Sequence, residues 1–299
     1  VLDEKTLHHF EHNPSMLNAV INGDPLVDGK EAFLNKGFFL VRAIVYLAIW
    51  VLLALFFTRN SALQDETGDE QITRKLQNMS PVGIMFFALS VTFAAFDWLM
   101  SVDPHWFSTI FGVYYFAGCV ICCFSVLIVV SISLKRFGLI GDEINNEHFH
   151  DMGKMLFAFV VFWTYIAFSQ YMLYWYANLP EETYWYLRRG GAWLNTSIFL
   201  ALGHFAVPFL FLMSRHIKRC PKLLLSGAIW MLLMHLLDMY WLIMPTHHPE
   251  GPHIGLVDLF ALLGIGGLWL GVFTWRLGQR ALVPEKDPRL SESLAFENF

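Results

Sequence analysis

The sequence predicts an all-α polytopic membrane bundle with about seven transmembrane helices, and three observations carry that reading. Of 299 residues, 56% are hydrophobic and only 15% are charged, where a soluble domain carries roughly a quarter charged residues. The charges collect in short connectors between apolar runs, and those runs reach or exceed the roughly 20 residues of one bilayer crossing. Runs of this kind must be helices or closed barrel strands, because lipid offers the backbone no hydrogen-bond partner. Barrel strands are ~10 residues long and alternate in polarity, and these runs do neither.

The elements follow in order. Residues 1–35 read as a periplasmic lead-in, with Pro14, Gly23 and Pro25 marking a surface segment. The opening stretch VLDEKTLHHFEHNP is acidic, polar and His-bearing. It has neither the character of an initiator region nor that of a signal peptide, and it reads as a start partway along a longer polypeptide. The transmembrane domain, residues 36–275, holds spans at 36–57, 82–102, 107–134, 154–177, 192–213, 222–244 and 254–275. The third exceeds one crossing and is expected to tilt or project. Mixed-charge connectors occupy 59–80 and 137–153, and a polar cytoplasmic tail occupies 276–299.

Orientation follows from Lys and Arg placement. One side receives Arg59, Arg74, Lys75, Lys135, Arg136, Lys154, Arg215, Lys218, Arg219, Lys222, Arg276, Arg280, Lys286 and Arg289. The other receives Lys5, Lys30, Lys36, Arg188 and Arg189, with Arg42 inside a span. The positive-inside rule makes the first side cytoplasmic, so the chain starts in the periplasm and ends in the cytoplasm. The outer side is dense in Trp98, Trp106, Trp175, Tyr184, Trp185, Tyr186, Trp193, Tyr240 and Trp241. Two readings stand for these aromatics: an interfacial belt, or a docking surface for an extracytoplasmic partner.

Charged groups inside spans are costly and are usually functional or paired. Arg42, Asp97, His235, Asp238 and Asp258 all fall within ~15 Å of the outer ends of their helices at about 1.5 Å rise per residue. His204 sits deeper. Arg42 and Asp97, at similar depth on consecutive spans, form either a buried ion pair or part of a proton path or quinone pocket. His235 and Asp238 are spaced i, i+3 and share a helix face, as a proton relay or as a helix–helix hydrogen bond. Asp258, early in the last span, is a cap or a path residue. Asp103 and His105 in SVDPHWF, and His247, His248 and His253 in PTHHPEGPH, suit proton exit or partner contact.

No metal site is expected from this pattern. The external histidines lack regular ligand spacing, and Cys119, Cys122 and Cys123 read as small hydrophobes in an apolar helix. A b-type haem between His204 and His235 is disfavoured by a depth difference of about 6 Å. Gly267 and Gly271 form a GxxxG in the last span, which reads as tight helix packing or a subunit contact. No phosphate loop, nucleophile elbow, dinucleotide-binding glycine pattern or nucleic-acid signature is present.

FDWLMSVDPHWFSTIFGVYYFAG (Phe96 to Gly118) and DPRLSESLAFENF (Asp287 to Phe299) resemble a membrane subunit of alternative complex III. This is the bacterial quinol:electron-acceptor oxidoreductase, whose membrane subunits belong to the NrfD-like, polysulfide-reductase family. The similarity is nearest to its F-type, second quinone-binding subunit and covers essentially the whole chain. It implies a ten-helix fold, of which this chain would be the C-terminal part. It implies a bacterial inner-membrane location and partners: a sister NrfD-like subunit, an iron–sulfur subunit and multihaem cytochrome c subunits. Haem c and iron–sulfur clusters would sit in those partners, with no redox cofactor in this chain. Quinol, such as menaquinol, would be the substrate, oxidised near the outer face. The chain would then supply a proton path, a quinone-site wall and docking for redox subunits. The proton-path candidates are Arg42, Asp97, Asp103, His105, His204, His235, Asp238 and Asp258. A purely structural anchor and a stand-alone secondary transporter are the alternative readings.

Overall fold

Every run expected to cross the membrane is helical in the computed structural model, which describes residues 25–141 and 143–298. Residues 1–24 of the lead-in, with Pro14 and Gly23, lie outside the described residues. Two short helices, α1 (Pro25–Asp28) and α2 (Glu31–Leu34), precede α3 (Lys36–Thr67) and α4 (Glu70–Trp98). Next come α5 (Phe111–Arg136), α6 (Asn146–Ala177), the short α7 (Pro180–Arg188) and α8 (Leu194–Ala201). A π-helical turn, Leu202–Ala206, joins α8 to α9 (Val207–Met213). The chain closes with α10 (Arg215–Arg219), α11 (Pro221–His247), α12 (Leu256–Leu277) and α13 (Leu290–Leu294). Seven helices are long and apolar enough to cross a membrane, the fifth being the α8–π–α9 composite. Among the described residues there is no strand.

The helices run further than the apolar runs. Residues 59–80, expected as a connector, are helical except at Gly68 and Asp69. Hydropathy marks where lipid ends, whereas Ala62, Leu63, Gln64 and Glu66 are good helix formers that carry α3 beyond it. The break is made by two residues. Gly68 takes φ 69°, a left-handed position that closes α3 by donating to Gln64 O, and the Asp69 carboxylate caps α4 by accepting from Gln71 N. In the same way Asn145 accepts from the backbone N–H groups of Glu147 and His148, which starts α6 at Asn146 inside the expected 137–153 connector.

α5 lies at the centre, packed against α4, α6 and α11, while α3 packs on α4 and the α8–α9 composite closes the bundle against α6 and α11. Ile121 and Ile128 of α5, Leu156 and Val160 of α6, Leu212 of α9 and Met231 of α11 are fully buried between them. The outward faces are apolar as well, as with Leu40, Ile44 and Phe168, so hydrophobicity does not separate inside from outside in lipid. Small residues set the approach instead. A Cβ on Gly112 would meet the Thr92 side chain, and one on Gly153 would meet Lys218 and Leu224. The GxxxG of α12 does not act this way: α12 buries none of its residues, and Gly267 and Gly271 face open space among the described residues.

The C-terminal tail straps the lysine- and arginine-rich end of the bundle. Arg280 donates to Thr58 O (2.7 Å) and Lys286 to Glu66 O (2.7 Å) at the far end of α3. Ser293 Oγ meets His148 Nε2 at 3.0 Å. Asn298 then bonds Glu147 twice, through its backbone N–H (3.1 Å) and its side-chain amide (3.0 Å). Arg219 holds Glu147 from the other side at 2.6 Å. Truncation after residue 286 is expected to lower stability by about 2 kcal/mol, the worth of two or three partly exposed hydrogen bonds. The loss reads as a reduced thermal midpoint in detergent, with helix content lowered by no more than the deleted α13.

Candidate functional site

Four buried titratable groups converge where α5, α6, α8–π and α11 meet. Asp238 and His204 are fully buried, and His235 and Tyr114 nearly so. The Tyr114 hydroxyl on α5 donates to Asp238 Oδ1. His235 Nδ1 stands 3.7 Å from Asp238 Oδ2, across one turn of α11. The His204 ring lies 6.2 Å from that of His235, centroid to centroid, and packs on the Trp163 indole at 3.8 Å. His204 and His235 are thus neighbours, at a separation compatible with the depth difference of about 6 Å expected from helix rise.

Two backbone features make this possible. Gly118 of α5 leaves room for His235, since a Cβ there would meet the imidazole at 2.3 Å. The π turn carries His204, and such turns often mark functional sites. Pro208 has no N–H to give to the preceding turn, and Trp230 Nε1 donates to the released Gly203 O at 2.7 Å.

What sets the cluster apart is the number of unpartnered polar atoms brought together in one place. His204 Nδ1 and Nε2, His235 Nδ1, Asp238 Oδ2 and Trp163 Nε1 are buried with no hydrogen-bond partner. Buried polar groups are ordinarily satisfied, and exceptions call for a reason such as water, an ion or a catalytic role. The two imidazoles and the carboxylate could also ligate a divalent cation, their ligand atoms lying within 4.8 Å of one another.

The Arg42–Asp97 pair is built differently. Arg42 grips the carboxylate in a fork, Nε to Oδ2 at 2.7 Å and a terminal nitrogen to Oδ1 at 2.9 Å. The Tyr46 hydroxyl adds a bond of 2.8 Å, and the remaining arm of Arg42 donates to Phe33 O at 2.7 Å. The Phe33 and Phe38 rings cover the guanidinium. No buried polar atom of either residue lacks a partner. Among the described residues, Asp97 and Asp238 share no hydrogen-bond partner, so the two carboxylates belong to separate clusters.

The other candidates lie toward the tryptophan-rich end. Asp103 is buried, accepting from Tyr184 Oη (2.7 Å) and Arg188 (2.9 Å). Burial and this bond push the Tyr184 phenol above its ordinary pKa. His105 is exposed. Asp258 is exposed and accepts from Gly255 N at 2.8 Å, capping its own helix. The His248 and His253 rings lie 5.7 Å apart. Much of the aromatic density turns inward instead of forming a rim: Trp106, Trp185 and Trp193 are buried, and Trp106 stacks on Trp185 at 4.5 Å. Trp175 and Tyr176 do face outward. Of the cysteines, Cys123 is exposed on a lipid-facing side.

Sequence reasoning missed Tyr114 and Trp163. Tyr114 lay unremarked one turn before Gly118, and Pro208, four residues past His204, was the available sign of the π turn. No family model and no curated protein matches the chain.

The Arg42–Asp97 pair should respond differently to single and to paired substitution. Arg42→Met or Asp97→Asn alone is expected to cost about 3–5 kcal/mol, because each leaves an uncompensated charge or a buried donor fork. The double variant Arg42→Met/Asp97→Leu should recover most of that loss in thermal unfolding.

Proposed function

We propose that the chain is an integral membrane subunit of a quinol-oxidising respiratory complex of the alternative complex III type, and that its Tyr114–Asp238–His235–His204 cluster moves protons. The observation that carries the proton reading is the convergence of unpartnered imidazole and carboxylate atoms at the buried centre of a membrane bundle. Such atoms are costly to maintain dry, and they have the spacing that one or two bridging waters would complete. Tyr114, Asp238 and His235 then form a chain of groups able to accept and pass a proton. His is suited to this because its ordinary pKa lies near neutrality.

The identity of the complex rests on the resemblance of Phe96–Gly118 and Asp287–Phe299. In that reading quinol, menaquinol included, is oxidised near the tryptophan-rich end, which faces the periplasm of a bacterial inner membrane. Electrons leave through haem c and iron–sulfur clusters of partner subunits, beside a sister NrfD-like subunit. Arg42–Asp97, closed on itself, belongs to the scaffold of this subunit, and Asp103 with Arg188 and Tyr184 ties its surface loops together.

The test is purification of the native complex through a tag on this chain, followed by reconstitution in vesicles. Haem and iron–sulfur spectra should co-purify, and quinol oxidation should drive proton movement. Asp238→Asn and His235→Gln are each expected to lower proton movement by about 10²-fold, the usual scale for losing a proton-transfer group, without loss of assembly. Arg42→Met/Asp97→Leu should leave it within about twofold. Purification without redox partners would end the complex assignment. Unchanged proton movement in both cluster variants would end the relay.

A further inference from the structure

A second buried group is left uncompensated, and it opens on a different feature. Arg189, between α7 and α8, is 2% exposed. Its terminal nitrogens donate to the backbone carbonyls of Trp185 (2.9 Å) and Leu242 (2.7 Å), and its Nε has no partner. The guanidinium is held over Trp185 at 3.3 Å and near Trp241 at 4.9 Å. It forms no ion pair among the described residues, because Asp103, the acidic group whose field reaches it, is already paired with Arg188. Burial lowers its pKa to about 9, so it remains charged at neutral pH. Carbonyls and indoles hold the cation without neutralising it.

Arg189 lines a cavity of about 900 Å³. The walls below it are apolar: Phe168 on α6, Leu194 and Ile198 on α8, Phe205 in the π turn and Phe209 on α9. Phe168, Leu194 and Ile198 are half exposed on spanning helices, so the cavity opens sideways, toward lipid. Arg189 lies just before the fifth span, which begins at Gly191, at the depth of headgroups. The wall from Leu194 to Phe209 covers more than the ~15 Å of hydrocarbon in one leaflet.

We propose that this cavity is a specific site for one phospholipid with a net anionic headgroup, its phosphate neutralising Arg189 and its acyl chains lying along Phe168, Ile198, Phe205 and Phe209. The charge selects the head, because a buried cation without a counter-ion favours a ligand that brings one. The apolar wall selects the tail, since a free anion would gain nothing from it. Arg suits the task through its planar set of donors, which matches phosphate oxygens.

The test measures lipid retained by the full chain, in its native assembly, by mass spectrometry from nanodiscs of phosphatidylcholine titrated with phosphatidylglycerol. One phosphatidylglycerol per chain should be retained, at least tenfold better than phosphatidylcholine, and inorganic phosphate should not compete for it. Arg189→Gln should reduce retention at least tenfold. Ala201→Trp, which fills the tail region and leaves Arg189 in place, should do the same, so the proposal stays testable if Arg189→Gln does not fold. Arg74→Gln, on an exposed surface, should change nothing. Equal retention of the two lipids, competition by phosphate, or full retention in Ala201→Trp would each overturn the site. Proton movement is read separately, so failure here and failure of the relay are distinguishable.

Discussion

A polar side chain inside hydrocarbon must find its partner within the protein, and that requirement organises this molecule. Water at a protein surface satisfies any stray donor at little cost, but lipid offers nothing. Arg42 and Asp97 meet the requirement in full: the fork, the phenol of Tyr46 and the carbonyl of Phe33 use their bonding capacity, and two phenyl rings seal them. The His204–His235–Asp238 group meets it only in part. Since one polypeptide contains both solutions, the incomplete one is not a general looseness of packing. It is concentrated here, where the helices approach closely through small residues, although single unpartnered atoms occur elsewhere, as at Arg189 and His150.

That closeness depends on residues without bulk. Gly118 admits the His235 ring against α5, and Gly203 admits the Met234 sulfur against the π turn, where a Cβ would stand 2.5 Å from it. Van der Waals fit and backbone approach replace the hydrophobic effect as the force between helices in lipid, so such positions set geometry and not merely tolerance. The π turn adds a second adjustment. One widened turn rotates His204 onto Trp163 and toward His235, and Trp230 satisfies the carbonyl that the widening frees.

Fold class and the spanning segments were legible because a bilayer imposes length and composition directly on sequence. Helix ends were not: Thr58–Thr67 and Glu70–Gln77 are helical by local propensity and capping, to which hydropathy is blind. The polar residues of the site were legible for the same reason that charge in lipid is rare. Their grouping was not. Depth along a helix gives one coordinate, while partner choice depends on rotation about the axis and on register. A π turn shifts both for His204, and nothing in a depth count distinguishes the closed fork at Asp97 from the open contact at Asp238. Aromatic clustering misled in a related way. Trp106, Trp185 and Trp193 sit where an interfacial belt would, yet they are buried, packed on one another and on the rings of Trp241 and Tyr240.

Tyr114 and Trp163 connect the two uncompensated regions. Both line the Arg189 cavity, and from the other side Tyr114 bonds Asp238 while Trp163 covers His204. The cavity and the cluster are therefore two faces of one aromatic partition. An apolar occupant against that partition keeps water from reaching Asp238 and His204 through the membrane flank. The structure therefore separates a lipid-facing apolar cavity from an incompletely satisfied polar interior by a single layer of aromatic side chains. The same two side chains thus bound a site for the membrane's own lipid and bound the polar centre that must be kept apart from it.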